Sequence, residues 1–517
     1  MPVPCLIAFV ALVLATPVLA ADAIEVDGGL VEGTTLERSG VHLFRGIPFA
    51  APPTGKLRWA PPAPVIPWKG IRRADSWGTH CMQGEMFGGP LVTRGERMGE
   101  DCLYLNVWTP TTNPESRLPV FVVFHGGGFA AGSASEPRTD GEWFAERGMV
   151  VVAPNYRLGL FGFLGHPELS EESAGRGSGN YGMLDQVAAL EWVRDNIAAF
   201  GGDPDNVTIN GESAGSMSVS AHMVSPLSKH LVHKGIGQSG AFFPSPDTAL
   251  AADPLERKES DGLKFAGSVG ADTIEELRAM PAEALLSAVM SQSGGWGYGP
   301  GIDGYFLERP VAASYAAGEQ ANIPLLAGWT SSELGMAIAL DPKKPTRDSF
   351  RKALQETFGP EWKSAAEVYP GGSEEELLQS AADYASDMFI SYATWKWIEE
   401  HAATSEAPIY RYRFDRTIPG DPASAFGAIH ASDIEYSFNT LDSKPAGWQE
   451  ADREVAEIMA RAFANFILSG DPNGDGVPAW PEFGDSGAVM YFDTTSASGP
   501  EIGRTRYELL DEVARSR

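Results

Sequence analysis

The stretch VTINGESAGSMSVSAH, Val207 to His222, constrains this chain more than any other. A short β-branched run leads into GESAG, and GESAG leads into a stretch with helical character. A serine between two glycines at a strand-to-helix junction is either part of a tight turn or the residue the turn is built to present. Holding the Ser213 hydroxyl clear of the backbone needs a strained turn. Glycine at 211 and 215 removes side chains that would strike the neighbouring strand and helix. G-x-S-x-G is short enough to arise by chance in a glycine-rich chain of 517 residues. Here it occurs once, between a strand and a helix, and that context gives it weight.

The rest of the chain fits the same architecture. VFVVFHGG (120–127) and MVVVAPNYR (149–157) are continuous apolar runs, the pattern of strands covered on both faces. LYLNVWT (103–109) alternates like a strand. Leu184, Val187, Leu190, Val193 and Ile197 recur at helical spacing and predict a helix over 184–199. IPLLAGWT (323–330) and APIYRYRF (407–414) predict later strands. IEELRAMPAEALLSAVM and REVAEIMARAFANFI (453–467) predict helices. Strands alternating with helices predict an α/β fold, with a large, mostly parallel central sheet and helices on both faces. IEVDGGLVEGTTLE and VHLFRGIPF, broken by DGG, EGT and RSG, predict hairpins that add antiparallel strands at one edge. No repeat or low-complexity linker divides the chain, so residues 21–517 read as a single domain with helical insertions.

The first twenty residues stand apart. MPVPCLIAFVALVLATPVLA has an apolar run from Cys5 to Leu14 and ends in small residues, the pattern of a secretory signal peptide cut near Ala20, Ala21 or Ala23. It departs from that pattern in having no Lys or Arg ahead of the run. The alternative is a membrane anchor, but a span needs about 20 apolar residues and this run is shorter. Removing residues 1–20 takes Cys5 and leaves Cys81 and Cys102 of the three cysteines. An even pair in an exported chain reads as one disulfide, closing the loop from Met82 to Asp101. The expected location is therefore secreted or periplasmic. With 39 Lys and Arg against 68 Asp and Glu, the formal net charge is −29. Nothing on such a surface neutralises phosphates, so nucleic acid is not an expected partner, nor is anionic lipid. No later segment is long and apolar enough to span a membrane.

Ser213 is a poor nucleophile alone and needs a base, and the base needs an orienting acid. Where a nucleophile stands on such an elbow, the chain order is nucleophile, acid, histidine. His430, in FGAIHASDIEYSF, fits that order among the nine histidines. His222, His230 and His233 follow Ser213 too closely to leave room for an acid. His401 ends a predicted helix in a polar stretch and is expected at the surface. The acid should follow a strand. IPLLAGWTSSELG offers Glu333, which also suits a helix start after Ser331 or Ser332. Asp303 in PGIDGYF is the alternative, though it follows glycine-rich sequence. HGGGF (125–129) follows the strand VFVVF, and its glycines let backbone approach a substrate. The N–H groups of Gly127, Gly128 and Ala214 are the expected donors to an oxyanion.

Together these stretches resemble a known family. FRGIPFAAPPTGKLRW, EDCLYLNVWTP, HGGGFAAGS, NYRLGLFGFL, GNYGMLDQVAALEWVRDNIAAFGGDP, GESAGS, IGQSGA and GAIHASDIEYSF are similar to the type-B carboxylesterases, which include the cholinesterases. The resemblance implies an α/β-hydrolase fold and hydrolysis of small-molecule carboxylic esters, with no metal or other cofactor. It implies a Ser–Glu–His triad on Ser213, Glu333 and His430, oxyanion donors on Gly127, Gly128 and Ala214, and the family disulfide on Cys81 and Cys102. Leu334 departs from the pattern, since the family usually has glycine after the acid. Oligomeric state is not given by these residues. Adhesion proteins of the same fold keep the scaffold and lose the triad, whereas here every triad position is filled. A hydrolase of an amide, carbamate, polyester or toxin ester would use the same machinery.

Three further features bear on specificity and ligands. DPNGDG (471–476) begins like a calcium loop but lacks the later acidic ligand. Ser239 in GQSGA reads as a buried hydroxyl near the site, not a second nucleophile. The loop MQGEMFGGPLVTRGERMGED has no Trp, one aromatic residue (Phe87), and Arg94 and Arg97. Cholinesterases carry their cation-binding tryptophan on the corresponding loop, so no preference for choline esters is expected. Trp296 and Tyr392 are the candidates for an aromatic face supplied from elsewhere.

Overall fold

The apolar runs lie at the centre of the sheet because both of its faces are covered. A computed structural model describes residues 23–86, 92–95, 97–245, 251–334 and 345–516, so the expected signal segment and Phe87 lie outside the described residues. Among the described residues, eleven strands form the main sheet. In chain order they are β1 Thr34–Thr35, β2 His42–Pro48, β3 Tyr104–Thr109, β4 Leu118–Phe124, β5 Val150–Pro154 and β6 Gly202–Glu212. They continue as β7 Lys234–Gln238, β8 Leu325–Thr330, β9 Ile409–Phe414, β10 Ala488–Phe492 and β11 Ala497–Pro500. Across the sheet the order is β1-β2-β3-β5-β4-β6-β7-β8-β9-β10-β11. All neighbours from β5 to β10 are parallel.

Successive residues of β4 serve opposite faces, as the pleat demands. Val120, Val122 and Phe124 join one hydrophobic cluster, and Phe121 and Val123 join the other. The first cluster takes the apolar stripes of α1 (Tyr181–Asn196), α2 (Ala214–His222) and a later helix, Tyr392–Thr404. The second takes the stripe of Glu450–Ser469, through Val455, Met459, Phe463 and Phe466. α1 starts three residues before the predicted helix, and its last turn tightens into a 3-10 segment, Ile197–Phe200, which Gly201 ends in a left-handed conformation. IEELRAMPAEALLSAVM divides at Pro281, which has no N–H to donate. Its second half is a helix over Ala282–Ser293.

Two expectations need correction. The edge strands β1, β2 and β3 are antiparallel as expected, but Ile24–Val26 and Gly29–Glu32 do not join them. They pair with each other, and Gly29–Glu32 pairs in turn with Ile71–Arg73, in a separate three-stranded sheet. The opposite edge is also antiparallel, because β11 folds back on β10. His401 is fully buried, with Nε2 3.0 Å from the carbonyl of Ile323. Its helix packs on the sheet at that point, and burial lowers its pKa to about 4.

Two ties hold the loops around the sheet. Arg157, just after β5, donates from Nε and Nη2 to the two carboxylate oxygens of Asp185 on α1, each at 2.8 Å. Cys81 and Cys102 are bonded and buried. Beside them the Gln83 amide donates to the carbonyl of Gly132 and accepts from its N–H, both at 2.9 Å. The DPNGDG turn is closed by its own side chains: Asp471 accepts from Asn473, and Asn473 brackets the backbone of Trp480.

Candidate active site

The chemistry-bearing residues gather where the parallel strands end, the usual place for a site in such a sheet. β6 ends at Glu212, and Ser213 follows with φ 55° and ψ −120°, ahead of α2. A non-glycine residue held there carries about 1–3 kcal/mol of strain. The elbow closes only because it lacks side chains on either flank. A Cβ at Gly211 would fall 2.1 Å from the backbone of Gly215, and one at Gly215 would fall 2.2 Å from the Phe124 carbonyl. The turn is anchored by the Ser213 N–H, which donates to the Gln238 carbonyl at 2.8 Å.

Glu333 and His430 arrive together. After β8, Ser332 bridges Ile429, and the His430 N–H donates to the Glu333 carbonyl at 3.2 Å. This backbone pairing sets Glu333 Oε2 2.5 Å from His430 Nδ1. The other carboxylate oxygen, Oε1, accepts from the Ser239 hydroxyl at 2.7 Å and from the Thr330 N–H at 2.8 Å. Glu333 is thus fixed on three sides, and Ser239 is the buried hydroxyl the sequence suggests. Asp303 lies elsewhere, its Oδ1 capping the N–H groups of Tyr305, Phe306 and Leu307. The segment after His430 is docked by Asp433, which accepts from Tyr412 and Gln238.

The HGGG turn follows β4. The Gly127 carbonyl accepts from Ala130 and Ala131, turning away from the site. Among the described residues, the N–H groups of Gly127 and Gly128 find no acceptor. Ala214 opens α2, where a helix leaves its first N–H groups unpaired. Trp296 lies over Gly128, so close that a Cβ there would fall 2.5 Å from Cζ3 of the indole. Phe389 meets the His430 ring edge-on at 5.2 Å. It stands on a π-helical turn, Asp387–Ser391. Of the two candidate aromatics, Trp296 therefore reaches the site. Tyr392 is buried against Trp395 and hydrogen-bonded to Asp511. Arg94 is ion-paired with Asp140.

One residue went unread in the sequence. Glu212 occupies the variable position before the serine, and its Oε1 lies 3.2 Å from His430 Nε2. The signal was a charge at the end of an otherwise buried strand. Burial raises the pKa of Glu212 to about 7, against the pull of His430 and Arg138. Burial disfavours the His430 imidazolium, but Glu212, Glu333 and Asp433 outweigh it and raise its pKa to about 9. The pair titrates as a unit.

Comparison with known proteins places this arrangement. A family model described as the carboxylesterase family matches residues 20–508. The chain is 36% identical over 497 residues to the fumonisin B1 esterase of Sphingopyxis macrogoltabida, covering 92% of this chain and 87% of that one. It is 33% identical over 490 residues to the para-nitrobenzyl esterase of Bacillus subtilis, covering 92% and 95%. A crystal structure of a Geobacillus stearothermophilus carboxylesterase superimposes with a TM-score of 0.80 at 32% identity, covering 94% of this chain and 99% of that one. The sheet and its helices are those of an α/β-hydrolase, and the chain belongs to the carboxylesterase family, as a carboxylic ester hydrolase.

Proposed function

We propose that this enzyme hydrolyses carboxylic esters through an acyl-enzyme on Ser213. The observation that carries the reading is the 2.5 Å bond from His430 Nδ1 to Glu333 Oε2, with the opposite ring nitrogen 3.2 Å from Oε1 of Glu212, the residue before Ser213. Ser213 Oγ attacks the ester carbonyl as His430 Nε2 takes its proton. Glu333 steadies the imidazolium. The N–H groups of Gly127, Gly128 and Ala214 receive the oxyanion, each such donor contributing about 3–4 kcal/mol. The carbon–oxygen bond to the alcohol then breaks, and His430 returns the proton to that oxygen. Water, deprotonated by the same nitrogen, releases the acid and restores Ser213. Trp296 and Phe389 present aromatic surface beside Gly128 and His430.

We also propose that the enzyme is exported, with residues 1–20 removed. The apolar run from Cys5 to Leu14 and the buried disulfide support this.

A fluorophosphonate probe tests the nucleophile. One probe per chain, mapped by peptide mass to Ser213 and absent in Ser213→Ala, is the expected result. Stoichiometric labelling of another residue overturns the assignment.

A further inference from the structure

Helix Leu255–Ser268 carries Lys258 and Gly262 one turn apart on the same face. That face is pressed hard against the loop at Gly165. A Cβ at Gly262 would fall 1.8 Å from the Gly165 carbonyl oxygen. The Lys258 stem runs on through a channel walled by glycines. A Cβ on Gly165, Gly179 or Gly301 would fall 2.7, 2.4 or 2.1 Å from its Cβ, Cε or Cδ, respectively. The residue is 9% exposed, and at the channel's end its Nζ donates to the carbonyl of Gly299.

Burying an ammonium without a counter-ion is costly. Among the described residues no carboxylate stands within ion-pair reach of Nζ. Asp253 pairs with Arg257 at 3.2 Å, and Asp303 caps backbone N–H groups. An aliphatic side chain would fill the channel without that cost. What the ammonium adds is a grip on Gly299.

That grip falls on a loop bordering the site. Gly299 lies against Phe129, with a Cβ there 3.9 Å from the ring, and Trp296 in the same loop lies over Gly128. Next along, the Asn180 amide accepts from the Gly301 N–H at 2.8 Å and donates to its carbonyl at 2.7 Å. Lys258 and Asn180 together pin both ends of the 299–301 turn.

We propose that Lys258 is a specificity-positioning residue: by fixing the Gly299 carbonyl it holds the Trp296–Gly299 loop against Gly128 and Phe129, and so sets the room above the oxyanion glycines. The proposal rests on the oxyanion role given to Gly128. Lys258 touches no reacting atom and acts through Trp296.

The test uses the full chain and three esters: p-nitrophenyl acetate, p-nitrophenyl pivalate with a bulky acyl group, and 1-naphthyl acetate with a bulky leaving group. In Lys258→Met, the kcat/KM of at least one bulky ester relative to p-nitrophenyl acetate should rise by about threefold or more as the loop relaxes. In a Trp296→Ala background the same substitution should change neither ratio. A merely structural lysine would lower stability and scale all three esters alike. Lys258→Arg is the second variant. It keeps the charge, but its longer side chain cannot fit the channel without displacing Gly299, so the same change in ratio is expected. Unchanged ratios in folded Lys258 variants, unchanged ratios in Trp296→Ala, or an undiminished effect without Trp296 would each overturn the proposal. Fluorophosphonate labelling of Ser213 in the same variants reads the nucleophile separately.

Discussion

At the scale of single residues, the site is governed by where buried charge lies around one imidazole. Glu333 holds Nδ1 at 2.5 Å, while Glu212 stands 3.2 Å from Nε2, the nitrogen that accepts the serine proton in the mechanism proposed above. A carboxylate there favours the imidazolium, so His430 is protonated to higher pH than a free histidine, up to about 9. The base works only when neutral, so kcat/KM falls as pH drops through the titration of the pair. Glu212→Gln removes the negative charge, disfavours the imidazolium and lowers the His430 pKa. The acid limb of the kcat/KM profile should therefore move to lower pH, by about one unit or more. An acid limb that stays in place or moves upward in the folded variant would show that Glu212 does not set the protonation of His430.

At the scale of elements, the site depends on loops tied to a parallel sheet. The bidentate pair of Arg157 and Asp185 fastens the segment after β5 to α1, with side-chain exposures of 3% and 0%. Asp185→Asn leaves the guanidinium buried without its counter-charge and should cost about 3–5 kcal/mol. Urea denaturation measures this, and a loss below about 1 kcal/mol would show that the loop finds another hold. The disulfide spans a sequence separation of 21. Replacing both cysteines with serine should cost about 3 kcal/mol on chain-entropy grounds. The strands β4, β5 and β8 and the elbow were legible because buried parallel strands leave continuous apolar runs and the turn demands glycine on both flanks, whereas β7, KGIGQ, carries no such run. Glu333 and His430, which the structure pairs, were singled out by chain order and by the strand before Glu333. Other features left no local signal. His401 sits in a polar stretch, yet its helix packs on the sheet there. Lys258, Trp296 and Phe389 reach the site region only through contacts between distant segments. The outer placement of the Ile24–Glu32 hairpin is decided by the pairing of Gly29–Glu32 with Ile71–Arg73, which no hairpin pattern shows.

At the scale of the whole molecule, one sheet carries the HGGG turn, Ser213, Glu333 and His430 on the ends of β4, β6, β8 and the loop after β9. The −29 charge suits a freely dispersed protein, and among the described residues no helix is long and apolar enough to cross a membrane. If the chain is exported as proposed, the mature protein should lack the first twenty or so residues. It should also show no free thiol when denatured without reductant. N-terminal sequencing and thiol titration check both, and two reactive thiols in the exported protein would contradict the compartment.

The proposed mechanism stands on Ser213 as the nucleophile. Its most direct measurement is the turnover of Ser213→Ala on p-nitrophenyl acetate, with folding checked by thermal melting. Alanine fits the elbow sterically, so the melting temperature should stay close to that of the parent. Turnover should fall by about four to six powers of ten, leaving only what the oxyanion turn and binding supply. A folded variant retaining about a tenth of the parent turnover would contradict the account.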